Sequence, residues 1–131
     1  MKEMNEMKHA LVVDDNSQNL RVLAQMLSKQ GVSCTEVSDP RKLTDILPGL
    51  GSVDVVFLDL EMPGLDGYKA KDLVRTYLDQ TPIIAYTVHI SEINVVKQLG
   101  FDGFLGKPLD DARFPDQLAR ILNGEAVWER V

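Results

Sequence analysis

The chain has 131 residues, enough for one hydrophobic core and too few for two. With 44% hydrophobic and 26% charged residues it is neither a disordered tail nor a coiled coil, and one cysteine, Cys34, excludes an internal disulfide and a cysteine-cluster metal site. The 20 acidic residues against 14 basic ones give a formal charge of −6, which disfavours nucleic acid and anionic membranes as partners.

The opening MKEMNEMKH lacks the apolar stretch of a signal peptide, and nothing later approaches a membrane-spanning length, so the expected compartment is a reducing cytoplasm. Ala10-Leu11-Val12-Val13 is a continuous apolar run, the pattern of a strand buried on both faces. Leu20, Leu23, Ala24 and Leu27 then recur at helical spacing, with Gly31 to close the helix. Cys34 to Val37 reads as a short second strand carrying a structural thiol. Asp39-Pro40 starts a second helix with Leu43, Ile46 and Leu47 inside and Pro48-Gly49 as its stop. Val53 to Leu58 is a third strand, and Met62-Pro63-Gly64 the loop after it. Ala70, Leu73, Val74 and Tyr77 repeat the helical spacing until Thr81-Pro82 breaks it. Ile83 to Tyr86 is a fourth strand, Val95, Val96 and Leu99 mark a short helix ended by Gly100, and Gly103-Phe104-Leu105 makes a fifth strand. Phe114, Leu118, Ile121 and Leu122 line a last helix, with Pro115 tolerated in its first turn.

Five strands alternating with five helices predict an α/β fold, a doubly wound parallel sheet covered on both faces. One domain over residues 1–131 is expected, with a core of about 8–123 and a short tail, 124–131, that leaves no room for an output domain. Trp128 in that tail either folds back onto the domain or anchors a partner, and folding back is the expectation.

In such a sheet ligands sit beyond the carboxyl ends of the strands. Asp14 and Asp15 follow the first strand, Asp59 the third, Thr87 the fourth, and Lys107, followed by Pro108, the fifth. Three carboxylates at one edge repel one another and call for a cation. A hard divalent ion such as Mg²⁺ suits a few carboxylates and still accepts a phosphate oxygen. With a lysine and a hydroxyl beside it, one carboxylate can act as a nucleophile towards phosphorus, its neighbours stabilising the transferred oxygens.

The set VVDDN, FLDLEMPGLDG, AYT and GFLGKP, in that order and each at a strand end, resembles the receiver domain of bacterial two-component response regulators. The resemblance runs from about residue 8 to 123. It implies a flavodoxin-like (βα)5 sheet of strand order 2-1-3-4-5, an order taken from the family. It makes Asp59 the phosphoacceptor, attacking a phosphohistidine on a histidine kinase or a histidine phosphotransfer protein. Asp15 would bind Mg²⁺ directly and Asp14 mainly through water, with Asp59 and the backbone carbonyl of Glu61 completing the protein ligands; Mn²⁺ could substitute. Lys107 would pair with Asp59 and then with the phosphoryl group. Thr87 would turn inward to a phosphoryl oxygen, followed by the rotamer of Phe104. The face of the fourth helix, fifth strand and fifth helix would then change its affinity for a downstream protein, the chain being a monomer or a weak phosphorylation-dependent dimer. Such a protein signals and is not an enzyme, beyond catalysing its own phosphoryl transfer and dephosphorylation.

Three residues near the site depart from the common pattern or sit where they could tune access. Glu61 adds a carboxylate near the metal. Val88 stands where Ala or Gly is usual, which narrows access for the donor and for water. His89 lies close enough to the mouth to influence hydrolysis. Phe104 cannot donate a hydrogen bond as tyrosine does, so its switching rests on packing.

Plainer readings stand beside these. Asp14 and Asp15 could cap the helix beginning near Ser17. Thr87 could be a strand-end hydroxyl bonded to the backbone, Lys107-Pro108 a surface turn, and His89 a solvated side chain. A buried Asp59 has no comparable alternative, because a buried carboxylate needs partners. Two other functional classes remain to be weighed: a receiver-like module that binds partners without phosphorylation, and an enzyme on a similar sheet. The enzyme class lacks its marks, since no glycine-rich phosphate loop follows the first strand and no P-loop ends in Lys-Ser/Thr.

Overall fold

The computed structural model describes residues 8–60 and 67–129. Strand β1 (Lys8–Val13) leads into helix α1 (Ser17–Lys29) and strand β2 (Val32–Val37). A one-turn helix, α2 (Leu43–Ile46), lies between 3₁₀ turns at Pro40–Lys42 and Leu47–Gly49. Then come β3 (Val55–Asp59), α3 (Gly67–Tyr77), β4 (Ile83–Thr87), a 3₁₀ turn (Ile90–Glu92) running into α4 (Ile93–Gln98), β5 (Gly103–Gly106), α5 (Phe114–Leu122) and β6 (Val127–Glu129). All pairings are parallel and the strand order is β2-β1-β3-β4-β5-β6.

The expected order of the first five strands is therefore present, but the sheet has six strands, not five. The sixth comes from the tail, where three residues are too few to show an alternation in sequence. Gly103 makes its approach possible: a Cβ there would stand 2.8 Å from the Val127 carbonyl oxygen and 2.8 Å from Ile84 Cδ1. Val127 is fully buried as a result, and Trp128 lies in register with Phe104. The tryptophan thus folds back, half-buried, with the Lys97 ammonium 5.1 Å from its ring centroid. Among the described residues no helix is long and apolar enough to cross a membrane.

Alternation along the strands sends side chains to two cores. Leu11, Val13, Val56, Leu58, Ile83, Ala85 and Phe104 face α2, α3 and α4. Ala10, Val12, Phe57, Ile84, Tyr86 and Leu105 face α1 and α5. The helices differ from expectation in detail. Asn16, not Asp14 or Asp15, caps α1: its side chain accepts from the backbone N–H groups of Gln18 and Asn19. The second helix is broken into short pieces, because Pro48 supplies no N–H and Asp39 turns its carboxylate onto the Arg41 N–H at the start. In α4, Ile93 and Val96 face the core while Val95 and Leu99 face out. At the head of α3, Gly67 has no room for a side chain, since a Cβ would sit 2.6 Å from Leu60 Cα. That contact seats α3 against the end of β3, where the site begins.

Candidate functional site

Register places the site. Val13 pairs with Leu58, so Asp14 and Asp59 emerge at the same level and on the same face. Asp59 pairs with Tyr86, and Tyr86 with Leu105, two residues before Lys107. Asp14, Asp59, Tyr86 and Lys107 therefore all belong to the face covered by α1 and α5.

One carboxylate oxygen from each of Asp14, Asp15 and Asp59 lies within 4.8 Å of the others. Asp14 and Asp59 are buried and Asp15 is exposed. The Lys107 ammonium is 3.0 Å from Asp14 Oδ2 and 3.5 Å from Asp59 Oδ1. The Tyr86 hydroxyl donates to Asp14 Oδ2 at 2.7 Å, and the Asn16 N–H donates to Asp14 Oδ1 at 2.9 Å. Beside them the Lys107 ammonium stands 4.3 Å from the centroid of the Tyr86 ring. The lysine is fixed at its backbone too, where its N–H donates to the Thr87 carbonyl at 2.9 Å.

Burial works to raise the Asp14 pKa, but the Asn16 N–H, the Tyr86 hydroxyl and the Lys107 ammonium together outweigh it and hold the carboxyl below its ordinary value. Asp14 is thus a stable anion. For Tyr86, burial first, then the bond to Asp14 and the charges of Asp14 and Asp59, push the phenol far above its usual range. It stays protonated and can only donate to Asp14. Cys34 lies apart from this cluster, its thiol pushed up to about 12 by burial and by Glu36, which fits the expected structural role.

Three clustered carboxylates face one lysine ammonium, and all the donor atoms are hard oxygens. That set fits a hard divalent cation such as Mg²⁺, which takes one or two carboxylates and keeps waters.

Sequence reasoning named Asp14, Asp15, Asp59 and Lys107, and the fold brings all four together. Thr87 is buried on the opposite face from Lys107, and its hydroxyl accepts the His89 N–H at 3.1 Å. Phe104 is fully buried beside Ala85, in the core under α2, α3 and α4. Val88 is 60% exposed, and His89 is exposed beside it. Glu61 lies outside the described residues, both as a carbonyl ligand and as an extra carboxylate. Tyr86 enters the sequence reading only as the end of the fourth strand; its signal is its place on the same face of the sheet as Asp59. A groove of about 350 Å³ opens next to the cluster, lined by Val22, Tyr86, Val88, Lys107, Pro108 and Leu109 among others.

A sequence profile of the response regulator receiver domain matches residues 10–119. The chain is similar to the hybrid signal transduction histidine kinase A of Dictyostelium discoideum, 32% identical over 120 aligned positions that cover 86% of this chain and 6% of that protein. It is also 30% identical to the signal transduction histidine-protein kinase BarA of Escherichia coli K12 over 125 positions, covering 92% of this chain and 14% of that protein. The chain therefore spans only a small part of these curated relatives. In fold it resembles a CheY-like response regulator receiver domain protein from Methanospirillum hungatei, with a TM-score of 0.80 at 16% identity, over 91% of this chain and 96% of that one.

Proposed function

The chain belongs to the response regulator receiver domain family of two-component signalling, and from that premise we propose that it accepts a phosphoryl group on Asp59 from a phosphohistidine in a Mg²⁺-dependent reaction. The observation that carries this reading is Asp59 itself, 5% exposed at the end of a central strand, with two further carboxylates and an ammonium around it.

A carboxylate oxygen of Asp59 attacks phosphorus as the P–N bond of the donor breaks, and the imidazole nitrogen leaves with the electron pair. Lys107, between Asp14 and Asp59, balances the acceptor's charge beforehand and is placed to follow that charge onto the phosphoryl oxygens. Asp14, Asp15 and Asp59 would hold the Mg²⁺, or Mn²⁺ in its place; the ion supplies neutralisation of charge on the transferred group. For Thr87 to reach a phosphoryl oxygen, its side chain must rotate to donate its O–H to that oxygen, giving up in exchange the bond that it accepts from the His89 N–H. This exchange is the small two-state element that a new anion can bias, with Phe104 repacking behind it.

The donor is a histidine kinase or a histidine phosphotransfer protein, and the same chemistry serves a receiver acting alone or one carried within a longer chain. The surface that responds is not the bare edge of β5, because β6 covers it; α4, β6 and α5 form the face offered to a downstream partner.

The test is the intact mass after incubation with a small phosphodonor, with and without Mg²⁺, beside Asp59→Asn. Gain of one phosphoryl group that needs the metal and vanishes in the variant is expected. No gain, together with no binding of beryllofluoride, would leave a module that binds its partners without phosphorylation.

A further inference from the structure

We infer that Tyr86 is a positioning residue of this site, which clamps Asp14 through its hydroxyl and Lys107 through its ring face, so that the hydroxyl and a divalent cation share the charge of one Asp14 carboxylate. The inference rests on reading the acidic cluster as a divalent-cation site.

Asp14 has no exposed surface, and its donors come from its own loop, from β4 and from the loop after β5. The Asn16 N–H takes Oδ1, while the Tyr86 hydroxyl at 2.7 Å and the Lys107 ammonium at 3.0 Å both take Oδ2. An ionised carboxylate has about two lone-pair sites per oxygen, so Oδ2 is fully subscribed and Oδ1 keeps one site for a cation. The hydroxyl's share of that oxygen is electron density withheld from a metal. An apolar side chain at position 86 would pack equally well between Phe57 and Leu105 but would leave Asp14 with the lysine alone on Oδ2. The ring does separate work. Its face lies 4.3 Å from the Lys107 ammonium, an attraction between a cation and a π cloud in a nearly dry setting. It holds the lysine between Asp14 and Asp59 instead of letting it swing towards the groove mouth. The ring in turn is fixed edge-on against Phe57, at 6.5 Å and 78°.

Tyr86→Phe removes the hydroxyl and keeps the ring; Tyr86→Leu removes both. Mg²⁺ titrated calorimetrically into the full chain should bind Tyr86→Phe roughly three- to tenfold more tightly than the parent, the range set by the net worth of one ordinary hydrogen bond. Protection of Lys107 from an amine-reactive reagent, read by peptide mass spectrometry, should be retained in Tyr86→Phe and lost in Tyr86→Leu. On the parent itself, the Cζ resonance of Tyr86 should shift on saturation with Mg²⁺, a measurement that needs no variant to fold. Equal Mg²⁺ affinity in parent and Tyr86→Phe, or an unmoved resonance, overturns the hydroxyl clamp. Equal Lys107 protection in both variants overturns the ring's part. A parent that binds no divalent cation at all would instead refute the metal-site reading on which the inference rests.

Discussion

Val88 stands at the mouth of the acidic cluster, mostly in solvent, and forms part of the groove wall together with Val22 and Leu109. Its isopropyl group has no core to support, so shortening it changes access without touching stability. Val88→Ala should accept phosphoryl groups from a small donor faster and lose them to water several-fold sooner, as followed by the decay of the phosphorylated mass. An unchanged lifetime would show that the branched side chain does not screen the acyl phosphate. The same scale shows what a sequence can reveal about a site. Asp14, Asp15, Asp59 and Lys107 are polar residues interrupting or ending apolar runs, and a charge at a buried strand end has few innocent explanations. Tyr86 escaped because it sits inside such a run, where a large ring is expected, and only register shows its hydroxyl aimed at Asp14.

The C-terminal strand is the element that the sequence concealed and the one whose attachment is most conditional. Val127 anchors it in the core, but its outer end is held by charge: the Glu129 carboxylate accepts from Gln117 and Arg120 of α5 and from Arg113 just before it. The Gln117 hydrogen bond leads, against some burial, and with the two arginines it draws the Glu129 pKa below its ordinary value. A carboxylate whose folded pKa is depressed contributes stability above the unfolded value, near 4.5 here, and loses it as pH falls through the folded value. Acidification below that point should therefore loosen β6. Trp128 is the chain's only tryptophan, so its fluorescence reports this strand alone. An acid transition in that signal is expected in the parent and should be missing in Glu129→Gln, whose strand is already loosened at neutral pH. Asp14, also held ionised, titrates in both proteins and so does not confuse the comparison. A transition of the same size in the variant would assign the acid response to some other group. Beside the expected return of Trp128, Gly103 hints at this strand: a glycine in a four-residue strand reads as weakness until the Val127 backbone is found against it.

For the molecule as a whole, alternating apolar runs and helical periods determine a parallel sheet, and the sheet places the strand ends that carry Asp14, Asp59 and Lys107 at one edge. That logic made the architecture legible from residue 10 to Leu122, while the broken second helix and the tail depended on single side chains and backbone contacts. The same architecture stores a cost. Among the described residues three carboxylates converge where one ammonium offsets them, and the unfolded chain separates them again. A cation that binds only the folded state must then stabilise it by mass action, by about 2.7 kcal/mol at a concentration a hundred times its dissociation constant. Mg²⁺ should raise the thermal midpoint of the parent by several degrees, with NaCl at matched ionic strength as the control for general screening. Asp15→Asn is the informative variant, because Asp15 is exposed and its loss would remove a proposed metal ligand without opening the core. It should melt higher than the parent without metal, as repulsion is relieved, and respond to Mg²⁺ much less. An equal rise in both proteins would mean that the cation acts on the net negative charge of the surface and not on the cluster.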